Sequence, residues 1–151
     1  MKTILVIDIM DGNLPESGWG QYHIYVFRDG EFPLYVGKAE DNIIDRLEAH
    51  LGLTYRSMGT VRKLVDDNLP DSLTWSIDLY SIEECIVFVQ RHFTSAQSAD
   101  VNLAERSMIL EFSPPLNRQF NPEARLLPSK YSQRREKRIR TAIKEIGNKN
   151  E

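Results

Sequence analysis

Residues 21–37 constrain this chain more than any other stretch. Gln21–Phe27 is dense in β-branched and aromatic residues. Asp29-Gly30 follows, and Leu34–Gly37 resumes the strand-like pattern with Pro33 at its entry. An Asp-Gly pair between two such runs supplies the positive φ that a tight hairpin needs. A proline at a strand's entry removes a backbone donor where its loss matters least. A third run, Leu73–Tyr80, alternates so that Trp75, Ile77 and Leu79 share one side. Thr3–Ile9 is a further candidate strand, outside the three that this order defines.

Between and after these runs the apolar spacing changes to that of helices. Asp41 is placed to cap a helix whose Ile43, Leu47 and Leu51 recur every fourth residue, with Gly52 to stop it. Arg46 and His50, also four apart, share a neighbouring face. A second helix is expected over Thr60–Asp67. A third starts at Ser81, with Glu84 as capping-box partner, and runs to about Phe93. A fourth begins at Asp100 or Asn102 and ends at Pro114-Pro115. After a Pro-bearing connector, Asn121–Ser129, a last helix spans Tyr131 to about Ile146. Its stripe of Ile139, Ala142, Ile143 and Ile146 predicts docking by an apolar side with charge facing outward. The order predicts an α+β fold, a small three-stranded antiparallel sheet flanked by helices with an added basic C-terminal helix.

The 151 residues, 41% of them hydrophobic, suffice for one core. No run is long and apolar enough to span a bilayer, and Lys2 alone makes a poor signal-peptide start, so the chain reads as cytoplasmic. The single cysteine, Cys85, forms no intramolecular disulfide and reads as a small buried apolar residue. The net charge of −3 hides an uneven distribution. Residues 125–151 hold nine Lys or Arg and three Glu, a net of +6, which leaves −9 for residues 1–124. A basic tail on an acidic body fits contact with a polyanion, and equally a solvated surface helix. We divide the chain accordingly into 1–124 and a basic helical extension, 125–151.

One acid stands out. Val101, Met108, Ile109 and Phe112 form the apolar stripe of the fourth helix, and the position that completes it is Glu105. A carboxylate on a core-facing stripe is costly unless it is paired or holds a cation. The alternatives are a glutamate reaching water from the helix edge and an ion pair with Arg106 or a neighbouring helix. Tyr25 and Tyr35, one on each hairpin arm, read ordinarily as core tyrosines with wet hydroxyls. Gly37, ahead of Lys38, is either a turn glycine or a place where a ligand approaches the backbone.

His23-Ile24-Tyr25, the ten-residue step from Tyr25 to Tyr35, and Leu34-Tyr35-Val36-Gly37-Lys38-Ala39 together resemble the paired signature of the GIY-YIG nucleases. Arg46 sits where that family places its helix arginine, and His50 where members carry His or Tyr. Glu105, followed by Pro114 and Asn117, resembles the family's glutamate motif as seen in the excinuclease subunit that makes the 3′-side cut. The resemblance covers residues 21–117. The chain departs from the pattern at His23, where glycine is usual. It is one residue longer between Gly37 and Arg46, and longer again between Arg46 and Glu105, where the added length corresponds to the helix around Ile82–Phe93.

The resemblance implies a metal-dependent endonuclease that hydrolyses DNA to 5′-phosphate and 3′-hydroxyl ends. Its implied catalytic set is Tyr25, Tyr35, Lys38, Arg46, His50, Glu105 and Asn117. Tyr25 would be the general base, and a phenol of pKa near ~10 needs positive charge from Lys38, Arg46 or the metal to ionise. Glu105 would hold one hydrated Mg²⁺ or Mn²⁺, and Arg46 would clamp the phosphate. Tyr35 and His50 would position water or phosphate, and Asn117 would brace the site. Arg134, Arg135, Lys137, Arg138 and Lys144 would track the DNA backbone. The competing readings are a non-catalytic nucleic-acid-binding module on the same scaffold and an interaction protein. Other nuclease chemistries fit worse. The chain has no Asp/Glu-x-Lys triplet, its three histidines are scattered, and it lacks a P-loop.

Overall fold

In the computed structural model the described residues are 1–54 and 59–149, and the side chains of Arg134 and Arg135 lie outside that description. The sheet has four antiparallel strands in the order β1-β4-β2-β3. They are β1 (Lys2–Leu5), β2 (Ile24–Asp29), β3 (Phe32–Lys38) and β4 (Ser76–Tyr80). The expected hairpin is β2–β3, with Gly30 in its turn at φ 55°. The expectation of three strands falls one short, because the first few residues pair with β4 from Lys2↔Leu79 to Leu5↔Ser76. The candidate strand over 3–9 ends early for a local reason. The Leu5 N–H donates to Asp8 Oδ2 at 2.8 Å, which starts helix α1 (Val6–Met10) instead.

Alternation along β2 explains the layering. Tyr25 and Phe27 face a core shared with α1, α2 (Ile43–His50) and α3 (Thr60–Asp67). Ile24 and Val26 face a second core with Cys85, Ala104, Met108 and Ile109. That second core is covered by α4 (Ile82–His92) and α5 (Val101–Phe112). Helices therefore lie on both faces of the sheet, and β2 is buried on both sides. Ile43 and Leu47, both fully buried, contribute about 1.5–3 kcal/mol each to holding α2 against the sheet. Across the strands, Arg28 makes a two-pronged contact with buried Asp78, at 2.5 and 2.8 Å.

The helix caps show where each element can begin. Asn42 rather than Asp41 caps α2, accepting from Ile44 N at 2.9 Å. Gly52, at φ 80°, ends the turn that follows it. Ser81 and Glu84 form the expected capping box, and Asp100, not Asn102, caps α5. The C-terminal region departs most from expectation. Tyr131 does not start a helix. It lies in a 3-10 turn (Ser129–Ser132), buried against Phe32 and Trp75, with its hydroxyl donating to Asp29 Oδ2 at 2.7 Å. Helix α6 (Gln133–Lys149) follows, and its stripe is not docked: Ile139, Ile143 and Ile146 are 41%, 63% and 62% exposed. Nine of the 17 residues of α6 are charged, and Tyr131 already fills the place on the body where the chain anchors. Among the described residues no helix is long and apolar enough to cross a membrane.

Candidate active site

Tyr25 projects from β2 directly opposite Gly37 on β3. A Cβ built on Gly37 would overlap Cζ and Oη of Tyr25, so only glycine lets the ring lie across the neighbouring strand. This gives the Tyr-x-Gly spacing a physical reason. Helix α2 supplies the groups around this ring. His50 stands behind Tyr25, and the phenol Oη and His50 Nε2 are hydrogen-bonded at 2.6 Å. The His50 ring also packs against Tyr35 and Phe27, with centroids 5.3 and 6.0 Å away. One turn earlier, Arg46 lies against the Tyr25 phenol, close enough to hydrogen-bond it.

Tyr25, Tyr35, Lys38, Arg46 and Glu105 line one cleft of about 650 Å³. Glu105 comes from α5, on the opposite face of the sheet, and reaches the cleft past edge strand β3. Lys38 donates to Asn102 Oδ1, which ties the end of β3 to the first turn of α5. Asn117 fastens the same strand from the far side. Its Oδ1 accepts from Val36 N and its Nδ2 donates to Val36 O, both at 2.8 Å. Its amide is thereby committed to the backbone, and Asn117 lines an adjoining cleft rather than the main one. His50 forms no part of the main cleft wall. Lys137, Arg138 and Lys144 lie on α6 and line neither cleft. Arg138 reaches Asp67 at 3.6 Å.

The electrostatics separate these groups. Burial, reinforced by Tyr35, raises the Tyr25 pKa well above its usual value despite the opposing charge of Arg46. In the cleft as it stands, desolvation outweighs the charge of Arg46, and the ring is shielded from solvent. Burial and the Arg46 charge push His50 down to about 4, so it is a neutral base at neutral pH. With its proton on Nδ1, the neutral ring presents Nε2 as an acceptor to the phenol. Burial raises Tyr35 as well.

Glu105 has its pKa raised by burial, against the lowering effects of Lys38, Arg46 and Arg106. Among the described residues its carboxylate accepts no hydrogen bond and forms no ion pair. The alternative of a pair with Arg106 is not realised, since that guanidinium lies over the Phe120 ring at 4.0 Å. The cleft's remaining acids, Glu40, Asp41 and Asp45, outnumber its cations once Glu105 is added. They do not gather into a cage: among the described residues no three His, Cys, Asp or Glu side chains come together to hold a metal ion. A half-buried carboxylate without a partner, in a cleft with excess negative charge, suits one largely hydrated hard cation.

No family model, curated protein or solved structure matches this chain. Sequence reasoning did not single out Arg118 or Phe120, which line the adjoining cleft, and it named Arg106, which lies over Phe120, only as an ion-pair partner for Glu105. The one sequence signal there was an aromatic residue within a polar, proline-flanked loop.

Proposed function

We propose that this protein is a GIY-YIG-type endonuclease that hydrolyses DNA phosphodiester bonds at the cleft between β3, α2 and α5. The observation that carries the reading is the Glu105 carboxylate, unpartnered among the described residues, in the same cleft as Tyr25, Tyr35, Lys38 and Arg46. Glu105 would hold a Mg²⁺ or Mn²⁺ ion, which when bound supplies positive charge at the phosphate and the leaving oxygen. Arg46, exposed at the cleft rim, supplies the planar donors that grip a phosphate. Tyr25 lies beneath that guanidinium, so a phosphate that draws Arg46 outward uncovers the phenol.

The Tyr25–His50 pair then handles the proton. Water gives a proton to Tyr25 Oη as the phenol proton passes to His50 Nε2, and the hydroxide attacks phosphorus. The bond from phosphorus to O3′ breaks, and the 3′ oxygen leaves with a proton from solvent. The ends are a 5′-phosphate and a 3′-hydroxyl. This relay keeps the phenol neutral at rest and never requires a free tyrosinate. Lys38 balances charge near Glu105, and Asn117 holds β3 in place.

Incubation with supercoiled, branched and single-stranded DNA and Mg²⁺ or Mn²⁺ tests the reading. Metal-dependent cuts with those end groups are expected. Binding without cleavage would favour the non-catalytic module.

A further inference from the structure

Beyond Glu105 lies a second cleft, of about 420 Å³, which shares Tyr35 and Glu105 with the first. The loop after α5 builds it, and that loop is fastened to the body at several points. Leu116 N donates to Leu34 O at 3.1 Å, Asn117 grips Val36, and Asn121 Nδ2 donates to Pro114 O and Asn117 O at 2.7 and 2.9 Å. A loop held this way leaves Phe120 without a part in either core. The ring is nonetheless 48% exposed, on a backbone at φ 57°, a conformation bulky residues rarely adopt. Arg106 stacks on it at 4.0 Å, and exposed Arg118 and Gln119 stand beside it on the cleft wall. An aromatic face, an amide with free donor and acceptor, and two guanidinium groups match the chemistry of a nucleotide.

We propose that this second cleft binds an unstacked nucleobase of the DNA strand next to the scissile phosphate, with Phe120 as its stacking platform. The proposal rests on the nuclease reading, because continuity with Glu105 is what places the base beside the cut. A base inside continuous duplex cannot reach such a platform without leaving its stack. The preferred substrate therefore carries single-stranded DNA at the cut, as in a flap, gap or splayed arm.

Equilibrium binding of a single-stranded DNA of about 12 nucleotides, carrying 2-aminopurine, tests this with Ca²⁺ in place of Mg²⁺. The same oligonucleotide annealed as a duplex serves as the comparison. Wild type is expected to bind the single strand with quenching of the fluorophore. Phe120→Ala and Phe120→Gly are expected to weaken that binding roughly 5- to 150-fold, the range for losing one stacked base, while Phe120→Trp keeps it. Duplex binding should change less than twofold. Glycine accepts the left-handed backbone without strain, so Phe120→Gly should melt no lower than wild type. Single-strand binding unchanged in Phe120→Gly, equal losses on both DNAs, or a lowered melting temperature would each overturn the proposal. Cleavage by wild type with Mg²⁺, run in parallel, reports separately on the nuclease reading.

Discussion

Burial moves the acidity of Tyr25 away from a resting tyrosinate and moves the basicity of His50 toward a neutral imidazole. Both shifts hold the resting pair neutral: the donor keeps its proton and the acceptor keeps its lone pair. Tyr25→Phe removes the relay, and the single-turnover rate is expected to fall by about 10²–10⁴. An unchanged rate would remove Tyr25 from proton transfer. The His50 shift also has a stability consequence. Its folded pKa of about 4 lies below the usual 6.5, so the unfolded chain binds the extra proton first as pH falls. Stability from this group is complete above about 6.5 and drains away toward 4. Chemical denaturation across that window should show the loss in wild type, and His50→Gln should flatten it. Glu105 carries the opposite sign. Its folded pKa is raised, so stability declines as pH rises through it, and the ionised carboxylate is a cost at neutral pH. Glu105→Gln should raise the melting temperature while cutting single-turnover cleavage to a slow residual rate, which calorimetry and a gel assay together would show.

Edge strand β3 is the element that gathers the site. Gly37 admits the Tyr25 ring, Tyr35 and Lys38 face the cleft, and Val36 is gripped by Asn117. Gly37→Ala should destabilise the protein by on the order of 1–3 kcal/mol through overpacking. It should also lower activity about as much as Tyr25→Phe, because the ring must leave its seat. Wild-type activity in that variant would mean the ring position is not needed. Much of this element was legible beforehand. Asp29-Gly30 and the alternation around Tyr25 mark the hairpin, and Glu105 on an apolar stripe marks an acid with a reason to be there. Other parts depend on contacts that spacing does not encode. Asp8 turning back to the Leu5 amide converts half of an apparent strand into α1. Tyr131 spends its apolar bulk in the body, so the stripe on α6 has nothing left to cover it. That the Tyr25 ring would be fully buried was invisible in a motif.

The whole molecule brings together, around the edge of one sheet, groups carried on its two opposite faces. Tyr25 and Arg46 belong to the side of α2, and Glu105 belongs to α5 across the sheet. Helix α6 stands outside this arrangement, attached through the turn that buries Tyr131. A chain ending at Ser132 should therefore keep the melting temperature of the full protein while its DNA affinity falls and depends less steeply on salt. Equal affinity and salt slope would reduce α6 to a surface appendage. Whether Tyr25 and Glu105 serve one phosphate is tested by single-turnover cleavage with a double variant. Groups that act as a unit do not add, so Tyr25→Phe combined with Glu105→Gln is predicted to be no slower than Glu105→Gln alone. Wild-type cleavage by Glu105→Gln with Mg²⁺, or losses that simply multiply in the double variant, would contradict the account.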